Sequence, residues 1–300
     1  MTPYTNRYHQ LRRMKIIEDK HIYPNEKVPV LEHYKENFDL VKICFLPFIQ
    51  IDSESNILSK KASKQISLEE LKAKDELFKN ISELNAEIYA SNENYPKAAE
   101  ILKSGKIINW KTIISESDLI NYREINRALK TSIGAYKTPL RRPDLLHKLE
   151  EYSVEKEIWF PIEGQFDTFT KIGIYKLLKQ LGKEKVFVVK DGYEETKELN
   201  INELTESDFI EQIEFDDYYI YSKDETILFA ISWDDYFYFL ATKKEYLETV
   251  EQIVEIEGFN ANGKDSHLWD WDEGEIDRLL EKAKNDKKIP WWKSILKRKN

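Results

Sequence analysis

The segment DYYIYSKDETILFAISWDDYFYFLAT, residues 217–242, decides the fold class. It contains three runs rich in aromatic and β-branched residues, DYYIYS, TILFAIS and YFYFLAT, separated by KDE and WDD. Runs of this length and composition with turn-length gaps predict an antiparallel meander of three strands. Aromatic residues occupy both faces of the first and third runs. We therefore expect one face to pack on a core and the other to be covered by a helix or a partner.

The segments on either side of the meander predict helices. Upstream, Thr205 and Asp208 have capping spacing for a short helix that ends near Ile213. Downstream, KKEYLETVEQIVEIEGF (243–259) has an apolar stripe at helical spacing, with Gly258 placed to end the helix. A helix, three strands and a second helix make a compact α+β module.

The first 200 residues have a more helical pattern. Two β-rich runs, at 157–162 and 185–190, interrupt it. Predicted helices cover 67–89, 95–104, 117–131, 143–152 and 167–181, with Ser117, Pro143 and Asp167 at their N-terminal ends and Gly182 after the last. We therefore predict an α+β protein in two parts. Residues 1–200 form a mainly helical part with a few strands, and residues 201–300 form an acidic α+β module with a basic, tryptophan-containing tail.

Composition limits the class of protein. Apolar residues make up 41% of the chain and aromatic residues 13%, which excludes a mainly disordered chain. The single cysteine, Cys44, lies in the apolar run ICFLPFI and is predicted to be a core residue in a reducing compartment. Neither a secretory signal nor a run long enough to span a bilayer is present, so we expect a cytoplasmic protein.

Charge is strongly segregated along the chain. Residues 203–275 contain 21 acidic and 4 basic side chains, whereas residues 282–300 contain 8 basic side chains and one acidic. An acidic module repels nucleic acid and attracts a basic protein partner, although the same charge also suits a solvated surface. The basic tail, KKIPWWKSILKRKN, is predicted to dock on the protein itself, with an anionic membrane surface as the alternative.

The stretch GFNANGKDSHLWDWDEGE (258–275) concentrates tryptophans, a histidine and acidic residues. Asp265, His267, Asp270 and Asp272 have oxygen and nitrogen ligands, but they lack the register of a calcium loop. Zinc motifs and glycine-rich nucleotide motifs are absent from the whole sequence. We therefore predict neither a metal nor a cofactor.

The same stretch and the WDD turn supply the candidate binding surface, which is acidic and aromatic. Its predicted members are Trp233, Asp234, Asp235, His267, Trp269, Asp270, Trp271 and Asp272. Trp233 is expected to project from its turn. Trp269 and Trp271 either project or pin their turn to the core. We favour the second reading, with the aspartates between and after them facing water.

Two further sites are open alternatives. A carboxylate-based hydrolase would use Glu163 with Asp270 or Asp272 in a cleft between the two parts. Arg141 and Arg142, beside the predicted helix start at 143, would suit an anion, but a charged surface loop that pairs with acidic neighbours is the favoured interpretation.

The end of the module, FLATKKEYLETVEQIVEIEGFNANGKDSHLWDWD, resembles the C-terminal region of an uncharacterised Firmicutes family, one of the domains of unknown function. The resemblance covers roughly residues 215–275 and implies no known active site. The acidity and strand–helix pattern are also similar to those of small bacterial immunity proteins, which neutralise basic nucleases by charge complementarity. We therefore predict a non-enzymatic protein that binds a basic partner, with an immunity-like role as the more specific hypothesis. The sequence makes no prediction of oligomeric state.

Overall fold

The computed structural model describes residues 22–26, 28–51, 64–66, 88–90, 95–190 and 195–288. The described strands are β1 Leu40–Phe45, β2 Phe48–Ile51, β3 Lys64–Ile66, β4 Ile88–Ala90, β5 Gly105–Ile108, β6 Ile158–Trp159, β7 Lys185–Lys190, β8 Thr196–Asn200, β9 Asp217–Ser222, β10 Ile227–Ile231, β11 Phe237–Thr242 and β12 Gly258–Asn260. The described helices are α1 Val30–Tyr34, α2 Ala98–Ser104, α3 Trp110–Glu116, α4 Tyr122–Ser132, α5 Pro143–Lys156, α6 Thr168–Gln180, α7 Glu206–Gln212, α8 Leu247–Glu251 and α9 Glu275–Lys288. The predicted α+β class is confirmed.

A seven-stranded antiparallel sheet organises the fold, in the order β12-β1-β11-β10-β9-β7-β8. Its centre is the predicted meander, in which Tyr219 of β9 pairs with Ala230 of β10 and Phe239 of β11 pairs with the same Ala230. A smaller sheet has the order β5-β2-β6, and β3 pairs with β4.

Helices cover both faces of the large sheet, as the aromatic content of its strands predicts. Along β11, Phe237 and Phe239 belong to a core shared with α3, α4 and α5. Tyr238 and Leu240 alternate with them and pack into a second core, on the side of α6 and α7. Residues that alternate along a strand point to opposite faces, so the all-apolar strand pattern reflects burial on both sides.

The large sheet crosses the predicted boundary at residue 200. Strands β1 and β7 precede that residue and pair with β11 and β9, which follow it. Residues on both sides of position 200 therefore share one sheet and its two cores.

Several predicted helix ends agree with the structure. Pro143 is the first residue of α5. The Asp167 side chain accepts hydrogen bonds from two backbone N–H groups at the start of α6, and Gly182 follows that helix with φ +63°. Thr205 and Asp208 form the complete capping box of α7. At Asp167 and at Thr205 with Asp208, the side chains satisfy backbone groups that the helix end leaves free.

The helix predicted to begin at Ser117 begins later. Ser117 instead follows the C-terminal end of α3, and Asn121 caps α4 by accepting a hydrogen bond from the Glu124 backbone. Serine caps helices well at their start, but its presence alone does not distinguish a start from the loop after an earlier helix.

The long helix predicted over 243–259 is wrong. The chain forms only a 3-10 turn at Lys244–Tyr246 and the short helix α8, and Gly258 opens β12 instead of ending a helix. A Cβ atom at Gly258 would lie 2.1 Å from the Ile43 carbonyl oxygen. Glycine is therefore required where β12 approaches the β1 backbone.

The remaining predictions fall partly outside the described residues. The helix predicted at 67–89 lies outside them except for its last two positions, which belong to β4, and the tail after residue 288 also lies outside. Cys44 is a core residue, as predicted, and burial raises the pKa of its thiol to about 12. None of the helices in the described ranges has the length and apolar character that a membrane crossing requires.

Candidate functional site

Helix α4 buries polar side chains as well as apolar ones. Ile125 and Leu129 pack into the core with no exposed surface. Asn126, Arg127 and Lys130 lie on a neighbouring stripe of the same helix and are also more than nine-tenths buried. Charged groups removed from water are strongly destabilising unless they are paired, so this stripe requires acceptors from other elements.

Lys130 finds its acceptor in the turn between β10 and β11. Its ammonium group donates to Asp235, whose side chain is completely buried. The Tyr23 hydroxyl also donates to this carboxylate, and His267 Nε2 lies 3.0 Å from its Oδ2. We call Tyr23, Lys130, Asp235 and His267 the Asp235 cluster. It ties an N-terminal segment, α4 and the loop before α9 to one turn of the sheet.

The charges of the Asp235 cluster determine its protonation. Burial alone would raise the pKa of Asp235, but the positive charges of Lys130 and His267 outweigh it and hold the pKa well below its usual range. Burial alone would lower the pKa of His267, but the charge and hydrogen bond of Asp235 outweigh it and raise the pKa. Burial and Asp235 together raise the pKa of Tyr23, which therefore remains a neutral donor.

Asp270 lies at the centre of a second buried group. Its Oδ2 accepts hydrogen bonds from Asn126 Nδ2, at 2.9 Å, and from the Tyr136 hydroxyl, while Arg127 donates to its backbone oxygen. Burial raises the pKa of Asp270, against the opposing effect of these hydrogen bonds. We call Asn126, Arg127, Tyr136 and Asp270 the Asp270 cluster.

The two tryptophans beside Asp270 are scaffold, which confirms the favoured interpretation. Trp269 is 4% exposed and packs against Phe45, Phe237 and Phe259. Trp271 is also buried, beneath the Arg127 guanidinium, which lies 4.0 Å from its ring centroid. Both rings hold the loop against the core.

The prediction that the neighbouring aspartates face water is wrong for Asp270 and correct for Asp272. Asp270 is 2% exposed, whereas the Asp272 side chain is 70% exposed and pairs with Arg123 at 2.6 Å. Asp235, predicted as part of a surface, is also buried, and His267 is mostly buried. Asp235 and His267 are 32 residues apart, and the partners of Asp235 and Asp270 on α4 lie more than a hundred residues away, so the local sequence carries no signal of this burial.

Trp233 projects from the β10–β11 turn as predicted, with 69% of its surface exposed. Phe215, which the sequence analysis did not select, is 65% exposed and lies just before β9. Strands β9 and β10 are antiparallel neighbours, so the start of β9 and the end of β10 lie at the same end of the sheet. The isolated phenylalanine within the acidic run EFDD was the signal for this second exposed ring.

Carboxylates lie at the same end of the sheet as these two rings. Asp234 is partly buried, 3.5 Å from Lys130. Glu195, Glu214 and Asp216, at the paired ends of β7, β8 and β9, have side chains 49–66% exposed, and all three lie within 4 Å of the less exposed Lys190. We call the surface formed by Phe215, Trp233, Glu195, Glu214 and Asp216 the aromatic end.

The carboxylates of the hydrolase hypothesis have separate partners. Glu163 lies 3.5 Å from the Tyr236 hydroxyl, Asp270 binds Asn126, and Asp272 binds Arg123. Among the described residues, no three carboxylate, histidine or cysteine side chains are arranged to hold a metal ion.

The two arginines predicted to bind an anion differ in their contacts. Arg142 pairs with Asp144 through two hydrogen bonds, of 2.9 and 2.6 Å, and is therefore occupied by a neighbour. Arg141 donates through Nε to the Tyr136 carbonyl oxygen, at 3.0 Å. Arg142 thus makes the ion pair with an acidic neighbour that the favoured interpretation expects.

We predict that His267 makes the protein more stable in mildly acidic than in alkaline solution. Its folded pKa is raised above an unfolded value of about 6.5. The stability it contributes is therefore fully present below about pH 6.5 and is lost as the pH rises through the folded pKa. Urea unfolding of the wild type and of His267→Gln between pH 5.5 and 9 measures the effect. The difference between their free energies of unfolding should shrink as the pH rises. A constant difference would contradict the prediction, because it would mean that folding leaves the pKa of His267 unchanged.

The fold and the two clusters define an α+β protein with a helix-covered sheet, held by buried ion pairs and ending in an exposed aromatic surface. The chain belongs to the family described as "Protein of unknown function (DUF2711)", which matches residues 26–271. It is similar to the uncharacterized protein YwbB of Bacillus subtilis (strain 168), with 24% identity over 183 residues, or 61% of this chain and 69% of that protein. No solved structure matches it.

The family match confirms the resemblance to an uncharacterised bacterial family and extends it well upstream of residue 215. The matched range contains both Asp235 and Asp270, Trp233, and α4 with its buried polar stripe. It also ends at Trp271, so the aromatic loop that packs on the core closes the matched region.

Proposed function

We propose that the protein is a non-catalytic binding protein that recognises a basic protein through the aromatic end. The observation that carries the proposal is the pair of exposed rings, Phe215 and Trp233, at one end of the central strands. Large aromatic side chains contribute most of the affinity in many interfaces, because they bury much surface while losing few rotamers.

The charge of the aromatic end indicates the partner's chemistry. Its three carboxylates are more exposed than Lys190, which lies among them with 23% of its side chain exposed. A partner approaching this surface therefore meets negative charge around two apolar rings. Such a surface favours a basic partner with apolar groups at its centre, and steers its approach over long range.

Backbone and side-chain contacts of Asp235 fix the turn that carries Trp233. Asp235 donates its backbone N–H to the Ser232 oxygen and accepts one from Gly164, while its side chain anchors Lys130 and His267. A Cβ at Gly164 would lie 2.0 Å from the Trp233 carbonyl oxygen, so the two loops are in direct contact. A ring presented by a fixed turn loses little conformational freedom on binding. The Asp235 cluster thus supports recognition indirectly, because it fixes the turn that presents Trp233.

An immunity-like role is the specific form of this proposal in which the basic partner is a toxin. The hydrolase alternative requires carboxylates that share a cleft. The observed partners of Glu163, Asp270 and Asp272 favour binding over hydrolysis.

Site-specific photo-crosslinking in lysates of the protein's native cells, at low and high salt, tests the proposal. A benzophenone amino acid would replace Trp233 or, in a second variant, Phe215. A third variant would carry it at Ile120, which is 72% exposed in the loop before α4. We expect positions 233 and 215 to capture the same basic protein, with a yield that falls in high salt, and position 120 not to capture it. Equal capture at all three positions, or none at position 233, would contradict the proposal.

A further inference from the structure

An open cavity of about 700 Å3 lies between α9 and the segment that follows α4. Residues 134–139, Arg141 and Ala283 line it. This volume falls within the range of small-molecule sites and is far larger than a single inorganic ion requires. The cavity contains none of the residues of the aromatic end, so it is a separate feature of the molecule.

The ionisable groups in this lining are cations and one tyrosine, with no carboxylate among them. Lys137 is exposed and Arg141 is partly buried. This charge is the reverse of the chain as a whole, which carries a net charge of −9.

Arg141 is held in one position, but some of its N–H donors have no partner among the described residues. Its Nε donates to the Tyr136 oxygen at 3.0 Å, and Nη2 lies against Gly134, 3.3 Å from where a Cβ would stand. Its terminal nitrogens have no further hydrogen bond or ion pair within the described ranges. By contrast, the other partly or fully buried arginines there each pair with a carboxylate, namely Arg123 with Asp272, Arg127 with Glu275 and Arg142 with Asp144.

We propose that this cavity binds a small organic phosphate monoester. Arg141 and Lys137 have no carboxylate partner among the described residues, so their two charges match one phosphate dianion. The planar fork of Arg141 suits two of its oxygens. Lys137 supplies the second positive charge. Ala135, Pro139 and Ala283 offer apolar surface for the organic part of the ligand. A fixed guanidinium lowers the entropy lost on binding.

Titration with phenyl phosphate, followed by calorimetry and by phosphorus NMR, tests this site. The wild type should bind one equivalent saturably, and inorganic phosphate should bind more weakly because it lacks the organic part. Arg141→Gln should weaken binding by at least about tenfold, the effect expected for one lost charge-assisted hydrogen bond. Arg142→Gln, at the neighbouring but occupied arginine, should bind like the wild type.

Lys137→Gln provides a second test that does not depend on the folding of the Arg141 variant, since Lys137 is exposed. It should also weaken phenyl phosphate binding. Three results would overturn the proposal: no saturable binding by the wild type at millimolar phenyl phosphate, binding that neither substitution weakens, or equal affinity for inorganic phosphate.

Discussion

Replacing Lys130 with methionine should lower the free energy of unfolding by about 3–5 kcal/mol, the usual effect of removing one partner of a buried ion pair. Lys130 is 6% exposed and Asp235 is 0% exposed, so the substitution would leave a buried carboxylate without its main countercharge. Tyr23 and His267 would remain as donors but would not replace the lost ammonium group. Urea denaturation followed by circular dichroism measures the change.

Lys156→Met is the matched control for this prediction. Lys156 also lies near carboxylates, at 3.4 Å from Glu155 and 3.8 Å from Glu116, but its side chain is 39% exposed. Exposed pairs contribute less than about 1 kcal/mol, so this variant should stay close to the wild type. A similarly small effect for Lys130→Met would mean that water reaches Asp235. The turn that carries Trp233 would then not be held rigid by a buried ion pair.

Replacing Trp269 with alanine should destabilise the protein by about 3–5 kcal/mol, because it removes a large buried ring and leaves a cavity. Trp269 contacts aromatic rings of three strands, namely Phe45 in β1, Phe237 in β11 and Phe259 in β12. The substitution should also loosen the loop that carries His267 and Asp270. Thermal and urea unfolding measure the loss.

Trp233→Ala is the control, and it separates scaffold from surface. Trp233 is 69% exposed, so its removal should change the free energy of unfolding by no more than about 0.5 kcal/mol. If Trp233→Ala proved as destabilising as Trp269→Ala, the ring at position 233 would be a packing residue and unsuited to recognition.

The meander was predictable because its information is local. Alternating aromatic and β-branched residues between short polar turns specify neighbouring strands without reference to the rest of the chain. The caps at Asp167 and Thr205 were predictable for the same reason, since each is a contact with a backbone group no more than three residues away.

The edge strand β12 and the residues before it, where the sequence predicts one long helix, were not predictable in this way. The apolar spacing of residues 246–254 fits a helix, but Ile253 and Ile256 are drawn into the second core and Val254 is left 75% exposed. The glycine at position 258, which the sequence pattern places at a helix end, is needed for contact with Ile43, more than two hundred residues earlier. Tertiary contact outweighs local propensity there.

The candidate site was predictable only where it is exposed. Trp233 stands in a turn whose composition already indicated a projecting ring. Asp235 and Asp270 looked identical to surface aspartates, because their burial depends on Lys130, Asn126 and Tyr136, which lie more than a hundred residues earlier. Pairing across such separations leaves no periodic signal in one sequence.

The most direct test of recognition through the aromatic end is an affinity measurement. It compares the binding of the captured basic protein to Trp233→Ala and to Ile120→Ala. A ring at the centre of an interface contributes about 2 kcal/mol or more, so Trp233→Ala should weaken binding at least about 30-fold at low salt. Ile120→Ala should bind like the wild type, and raising the salt concentration should weaken both the wild type and this control. Wild-type affinity for Trp233→Ala, or an affinity independent of salt, would contradict recognition of a basic partner through the aromatic end.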